Sequence, residues 1–320
     1  MSVNEFHGIV YYRVPSINIM TIGRDYLMTA DDGYILGVEK IVNNVPNDTG
    51  FNIVILDDGF TLDELDVFRN RIDFFITYLK TVSPFNDYWD VINVHRIDVV
   101  SNESGVKDPS PCEGYPRSGA NPKTYFDAAM CHGGVHSYVW GDDNLVNSVS
   151  AEYVPEGHGS IVLVNTTDFG AIRTAVVWTT NFVDFNIPLV HEMGHLYFNL
   201  GDEYMFSDNT PYQSNIEPSH PNITINTDRT TLKWKDLVLP ETPIPTLQNI
   251  TGYCNRLQCT IEEYGNTVGL FEGAYYSSCG VYRSQCHCKM QSPQYDFCAV
   301  CKRAISQTLK QFITTCSQPT

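Results

Sequence analysis

No block of consecutive lysine or arginine interrupts this chain, in which 37 acidic residues face 20 basic ones for a formal charge of -17. That balance argues against nucleic acid or an anionic membrane surface as a partner, and the acidity reads as solubility in a salty, exposed environment. Nowhere do 18 apolar residues run without a charge, so no membrane insertion is expected. The opening MSVNEFHGIVYYRV lacks the basic segment followed by an apolar one that marks a secretory leader. Internal repeats and low-complexity tracts are also missing.

Cysteine, by contrast, is plentiful. Ten residues, at 112, 131, 254, 259, 279, 286, 288, 298, 301 and 316, crowd mostly into the C-terminal part. Such density favours an oxidising compartment and disulfides, and a Cys112–Cys131 bridge would pin the long polar loop that begins near residue 101. Sequons at Asn47, Asn102, Asn165, Asn222 and Asn249 are compatible with glycosylation. The expectation is a secreted, extracellular glycoprotein whose signal peptide has been cut off or replaced by an initiating Met. With 320 residues and 42% hydrophobic composition, the chain can bury a sizeable core.

Residues 8 to 42 alternate loosely and read as a hairpin or small β-rich prelude, so 1–49 is taken as a short N-terminal segment and 50–320 as the main domain. FNIVIL (51–56) is a strand. Thr61 and Glu64 form a capping box ahead of Leu65, Phe68, Ile72, Phe75, Ile76 and Leu79 at helical spacing. Asp57 and Asp58 could cap that helix or bind a cation, with the capping and turn role preferred. VINVHRIDVV (91–100), SIVLVN (160–165) and TAVVWTT (174–180) are further strands. Residues 205–268 read as irregular, and apolar positions 301, 305, 309, 312 and 316 predict a C-terminal helix. The alternation suggests an α/β (α+β) domain around one sheet.

The chemistry concentrates in HEMGHLYFNLGDEY, residues 191–204. On a helix His191 and His195 lie one turn apart on one face, where two imidazoles reach one metal. Glu192, about 100° round the helix, is placed as general base on the metal's open side. A catalytic zinc needs a third protein ligand. If the helix continues, Asp202 lies roughly 20° from the histidine face. If it stops at Asn199, a turn can bring Asp202 back beneath the metal. Both routes favour Asp202, with Glu203 as runner-up and His220 and His287 as distant options.

HEMGHLYFNLGDEY resembles the HExGHxxxxLxDEY signature of the IgA-peptidase family of secreted zinc metalloendopeptidases. NIVILDDGFTLDEL, INVHRIDVVSNESG, IVLVN, GLFEGAYYSSCGVYR, CxM at 288–290 and FCAVC at 297–301 follow in that family's order. The resemblance implies a metzincin-like domain with a twisted mixed sheet, an active-site helix, a C-terminal helix and a methionine turn at Met290. It also implies that TAVVWTT is a sheet edge accepting an extended peptide. Two departures stand out: Gly201 occupies the position of the metzincin third histidine, and 1–49 is too short for a full β-sandwich. Protein or peptide substrates follow, host glycoproteins or immunoglobulin among them, although cleavage of immunoglobulin hinges belongs to the founding member.

Three further residues, Tyr282, Arg283 and Tyr204, are candidates to stabilise an oxyanion or hold substrate. Packing for Tyr282 and a surface salt bridge for Arg283 stand beside that reading. CHC at 286–288 with CAVC at 298–301 could form a structural zinc site; disulfides are the preferred reading, and any additional structural cation is left unknown. The reading of the whole is a zinc metalloendopeptidase. The alternatives are a catalytically inactive protease scaffold that binds host or matrix glycoproteins, and a zinc hydrolase acting on non-peptide amides.

Overall fold

The computed structural model describes residues 5–6, 9–10, 32–109, 112 and 119–316, with backbone alone for 5–6, 9–10 and 314–316. Of the hairpin expected within 8–42, residues 8 and 11–31 lie outside them; what is described near it are two paired two-residue strands, β1 (Glu5–Phe6) and β2 (Ile9–Val10), and a longer strand from residue 33 to 42. The chain divides into two compact units.

The first unit comprises Met1–Tyr78, Trp89–Leu189 and Phe312–Thr320. Its frame is a six-stranded mixed sheet in the order β3-β5-β4-β6-β8-β7, from β3 (Gly33–Val42), β4 (Phe51–Asp58), β5 (Ile92–Ser101), β6 (Ser160–Val164), β7 (Ala171–Arg173) and β8 (Val177–Thr180). β4, β5, β6 and β8 run parallel, and every residue of these four is buried, as parallel strands covered on both faces require. β3, within the stretch read as an N-terminal segment, pairs antiparallel with β5 along its length. Helix α1 (Leu65–Leu79) buries all six apolar positions that its spacing marked. Its capping box is present, with the Glu64 carboxylate accepting the Thr61 N–H at 2.9 Å.

Three features of this unit differ from the sequence reading. TAVVWTT is not an open edge: β7 pairs antiparallel with β8 from Ala171↔Thr179 to Arg173↔Val177, so β7 is the edge strand. The turn at Thr174, whose side chain and N–H both pair to the Val176 carbonyl, reverses the chain within what looked like one strand. Asp58 does not cap α1. It accepts from Thr124 Oγ1 (2.8 Å), Phe126 N–H (2.8 Å) and Ala128 N–H (3.0 Å), tying the long loop to the end of β4. Asp57 likewise accepts from Val99 N–H across the sheet. Helix α2 (Asp143–Tyr153) was not expected, although Asp142 is an N-cap accepting from Asn144 and Leu145, and Leu145, Val146 and Val149 carry helical spacing.

The second unit comprises Leu79–Tyr88 and Val190–Gln311. It takes up helix α3 (Asn186–Phe198) from Val190 onward and helix α5 (Ala299–Cys316) as far as Gln311. Between them a three-stranded antiparallel sheet, order β10-β11-β9, joins β9 (Ile223–Thr224), β10 (Phe271–Ala274) and β11 (Ser277–Arg283). The rest of 205–268 is irregular as expected, apart from a 3-10 turn at Lys235–Leu237 and a short helix, α4 (Ile261–Tyr264). Ile305 and Leu309 of α5 are buried. Phe85 packs against Phe198 (5.7 Å between ring centres) and Phe297 (6.5 Å), supporting the end of α3.

Disulfides join Cys112–Cys131, Cys254–Cys279 and Cys259–Cys286. Cys288, Cys298 and Cys301 are free and buried, which corrects the preference for disulfides throughout CHC and CAVC: only Cys286 of those four is bridged. No helix among the described residues is long and apolar enough to cross a membrane.

Candidate metal centre

Helix α3 is driven inward by Leu189, Val190, Met193 and Phe198, all at most 5% exposed, and this seats His191 in the interior of the second unit. The helix ends at Phe198. Asn199 takes the left-handed conformation (φ 52°), and the Leu200 N–H closes the last turn on the Gly194 carbonyl at 3.1 Å. The chain therefore follows the second of the two routes considered, and it returns Asp202 beneath the histidines.

Asp202 Oδ1 lies 3.1 Å from His191 Nε2 and 3.2 Å from His195 Nε2, and those two nitrogens are 3.1 Å apart. Ligands held tetrahedrally at roughly 2.0–2.1 Å from a divalent ion would stand about 3.3 Å apart, so the three atoms form one face of such a tetrahedron. Hydrogen bonding fixes which atoms face inward. His191 Nδ1–H donates to the Lys289 carbonyl (2.9 Å) and His195 Nδ1–H to the Leu200 carbonyl (2.6 Å). In the neutral rings both Nε2 atoms then present lone pairs. Asp202 Oδ1 is buried with no hydrogen-bond partner. Two lone pairs and an orphaned carboxylate oxygen converging at this distance fit a bound cation.

The electrostatics agree. Burial alone would raise the Asp202 carboxyl, but His191 and His195 outweigh it and hold it well below the ordinary carboxylate range. Burial alone would lower His195, yet Asp202, Glu192 and the Leu200 carbonyl raise it. Both shifts report a pocket that favours positive charge. Glu192, half-buried, is on the same helix beside His191. Beneath α3, Cys288 to Ser292 form a turn closed by Gln291 N–H to the Cys288 carbonyl, and Met290 there is fully buried. A Cβ on Gly194 would come within 2.8 Å of the Met290 sulfur, so glycine at 194 makes room for this turn.

A family model described as IgA Peptidase M64 matches residues 40–262 and 257–309. The chain belongs to the IgA Peptidase M64 family. Membership indicates a peptidase and hence protein substrates. No curated protein matches the chain.

In this IgA Peptidase M64 chain the remaining candidates are placed as follows. A side chain at Gly201 would meet Ile223 at 2.5 Å and the His220 ring at 2.9 Å, so no histidine fits there. Glu203 points away from the histidines and is fully buried with Cys288, Cys298 and Cys301. His220 is bonded to the Asn199 carbonyl, and His287 packs on Tyr295. Arg283 is neither a surface ion pair nor open to substrate: it is 1% exposed, and its guanidinium donates to the carbonyls of Glu272 and Gly273. Tyr282 is buried in β11, its phenol pushed up to about 12 by burial and then by Glu272. Tyr204 packs edge-on against Tyr276 (5.2 Å) and accepts the Tyr276 N–H on its carbonyl at 2.9 Å.

Sequence reasoning missed two residues that shape the site. Tyr276 donates its hydroxyl to Asp202 Oδ2 at 2.5 Å, which leaves Oδ1 turned to the histidines. Burial, then the Asp202 charge, pushes the phenol up, so it remains a donor. Tyr275 and Tyr276 both have positive φ (48° and 66°) in the two-residue turn between β10 and β11, a turn in which aromatic residues are strained. Bonds from their N–H groups to the Asp202 and Tyr204 carbonyls hold the turn in place. Asn222, read as a sequon, is fully buried and cannot carry a glycan. Its side chain pairs with both the N–H and the carbonyl of Gly201 and donates to Glu203 Oε1, each at 2.8 Å. The only prior signal for Tyr276 was its place in the GLFEGAYYSSCGVYR block.

Proposed function

We propose that the chain is a secreted zinc-dependent metalloendopeptidase that hydrolyses peptide bonds of extracellular proteins. The observation that carries this reading is the triangle of His191 Nε2, His195 Nε2 and Asp202 Oδ1, with its partnerless carboxylate oxygen, next to Glu192. His191, His195 and Asp202 would hold the zinc ion, which when bound supplies a Lewis acid for water and for the scissile carbonyl. Glu192 takes the proton of the attacking water and delivers it to the leaving amine. The carbonyls of Lys289 and Leu200 hold both imidazoles in the tautomer that offers Nε2, and Tyr276 orients Asp202. The three disulfides among the described residues and the five sequons, less the buried Asn222, support an extracellular setting.

The test is a peptide library with mass readout, run on the purified protein, on the same protein after chelation and zinc return, and on Glu192→Ala. Cleavage should vanish with chelation, return with zinc, and fall by about 10²–10⁴ in the variant while the metal stays bound. Full activity in Glu192→Ala, or cleavage indifferent to metal, would sink the proposal.

A further inference from the structure

Consecutive residues Asp202 and Glu203 send their side chains into different clusters. Around Glu203, the thiols of Cys288, Cys298 and Cys301 offer ligand atoms that all lie within 4.8 Å of one another, and all four residues are buried. Cys288 Sγ is 3.6 Å from Cys301 Sγ, while Glu203 Oε1 is 3.5 Å from Cys301 Sγ and 3.8 Å from Cys298 Sγ. On tetrahedral zinc, with bonds of roughly 2.3 Å to sulfur and 2.0 Å to oxygen, two sulfurs stand about 3.8 Å apart and a sulfur and an oxygen about 3.5 Å.

Backbone donors point at two of the three sulfurs. The N–H groups of Met290 (3.4 Å) and Cys298 (3.3 Å) point at Cys288 Sγ, and the Cys301 N–H points at Cys298 Sγ (3.4 Å). Cys298 immediately precedes α5, where amides at the start of a helix favour negative charge. Glu203 Oε2 is buried with no partner. Arg283 faces Glu203 and Cys288, and Lys289, itself buried, faces Cys288. Three thiolates and a carboxylate carry four negative charges; a dication together with Arg283 and Lys289 cancels them, as burial of an ionic cluster demands.

We propose that Glu203, Cys288, Cys298 and Cys301 bind a second, structural zinc ion. The four ligands are fully buried and close the coordination shell, which is the arrangement of a structural rather than a catalytic site. The ion clamps together the segment after α3, the Met290 turn and the start of α5. Glu203 N–H already donates to the Met290 carbonyl at 2.7 Å, so the clamp fixes both Asp202 and the Lys289 carbonyl that orients His191.

The experiment reads metal content, disulfides and metal spectra of the full chain. The wild type should hold two zinc ions, and a His191→Ala/His195→Ala double variant should keep one, with sulfur scatterers at about 2.3 Å in zinc-edge absorption. The cobalt-substituted wild type should show thiolate-to-cobalt charge transfer in the near ultraviolet, a band the histidine cluster cannot give and that needs no folding variant. Cys298→Ser should lose that band. A single ion that disappears in the double variant, absence of the band, or a peptide map with a disulfide between any two of these three cysteines would overturn the proposal. Charge transfer with an empty histidine site would uphold it and defeat the peptidase reading instead.

Discussion

The histidine cluster and the cysteine cluster are built on adjacent residues of one segment, yet they differ in access and in hardness. His195 and Glu192 are half-buried, so the first cluster is partly open to solvent, whereas every ligand residue of the second is buried. The first offers two imidazoles and a carboxylate, leaving a tetrahedron one corner short; the second offers three sulfurs and a carboxylate and completes it. An ion in the first can react and an ion in the second can only hold. The contrast teaches that a Gly201-to-Tyr204 segment of four residues serves both, with Asn222 fixing it from behind.

The sharpest way to break this contrast is to neutralise the two acids separately. Asp202→Asn should empty the histidine site and cost peptidase activity at least about 10³-fold, with the cysteine cluster still loaded. Glu203→Gln should do the reverse for metal content, releasing the sulfur-bound ion while the histidines keep theirs. Metal analysis after gel filtration checks both, and identical losses in the two variants would mean the clusters are not separate. Next in size is Tyr276→Phe, which frees Asp202 Oδ2; metal affinity in competition with a chelator should fall about 10- to 100-fold with the fold intact. Asn222→Ala leaves the Gly201 amide and carbonyl and Glu203 without their buried partner. It should lower stability to urea by about 1–3 kcal/mol.

The smallest effect belongs to the first unit, where the buried carboxylate of Asp58 is held by protein hydrogen bonds. Burial raises Asp58 to about 6 despite three hydrogen-bond donors. Its folded value thus exceeds the unfolded carboxylate value near 4, so the folded state keeps a proton that the unfolded state has given up. The stabilisation is complete below about pH 4 and is lost as pH rises through about 6. Asp58→Asn should flatten the fall in stability across that window, by at most about 1.4 kcal/mol per pH unit. Urea titrations at pH 4.5 and 6.5 give the slope, and an unchanged slope would show that Asp58 is not its source.

Local periodicity made much of this legible. The four-residue spacing of His191 and His195 required nothing beyond helix geometry. Asn199 as a candidate helix terminator, Thr61 and Glu64 as a cap, and the apolar face of α1 are equally short-range. Helix α2 is encoded just as locally, in Asp142 and the spacing of Leu145, Val146 and Val149. The edge at β7 was not so readable, because a three-residue strand carries too few residues to show a period.

The sequence by itself determined the helix that pairs the histidines, the preference for Asp202 as their third partner, and the family. Tertiary structure alone decided where that helix stops, that Glu203 joins the cysteines, which C-terminal cysteines bridge, and that Tyr276, 74 residues from Asp202, supplies its hydrogen bond while Lys289, 98 residues from His191, supplies the carbonyl. The reason is range. A helix encodes its own face within one turn, but contacts between distant segments are set by how buried surfaces pack, and spacing along the chain carries no record of that.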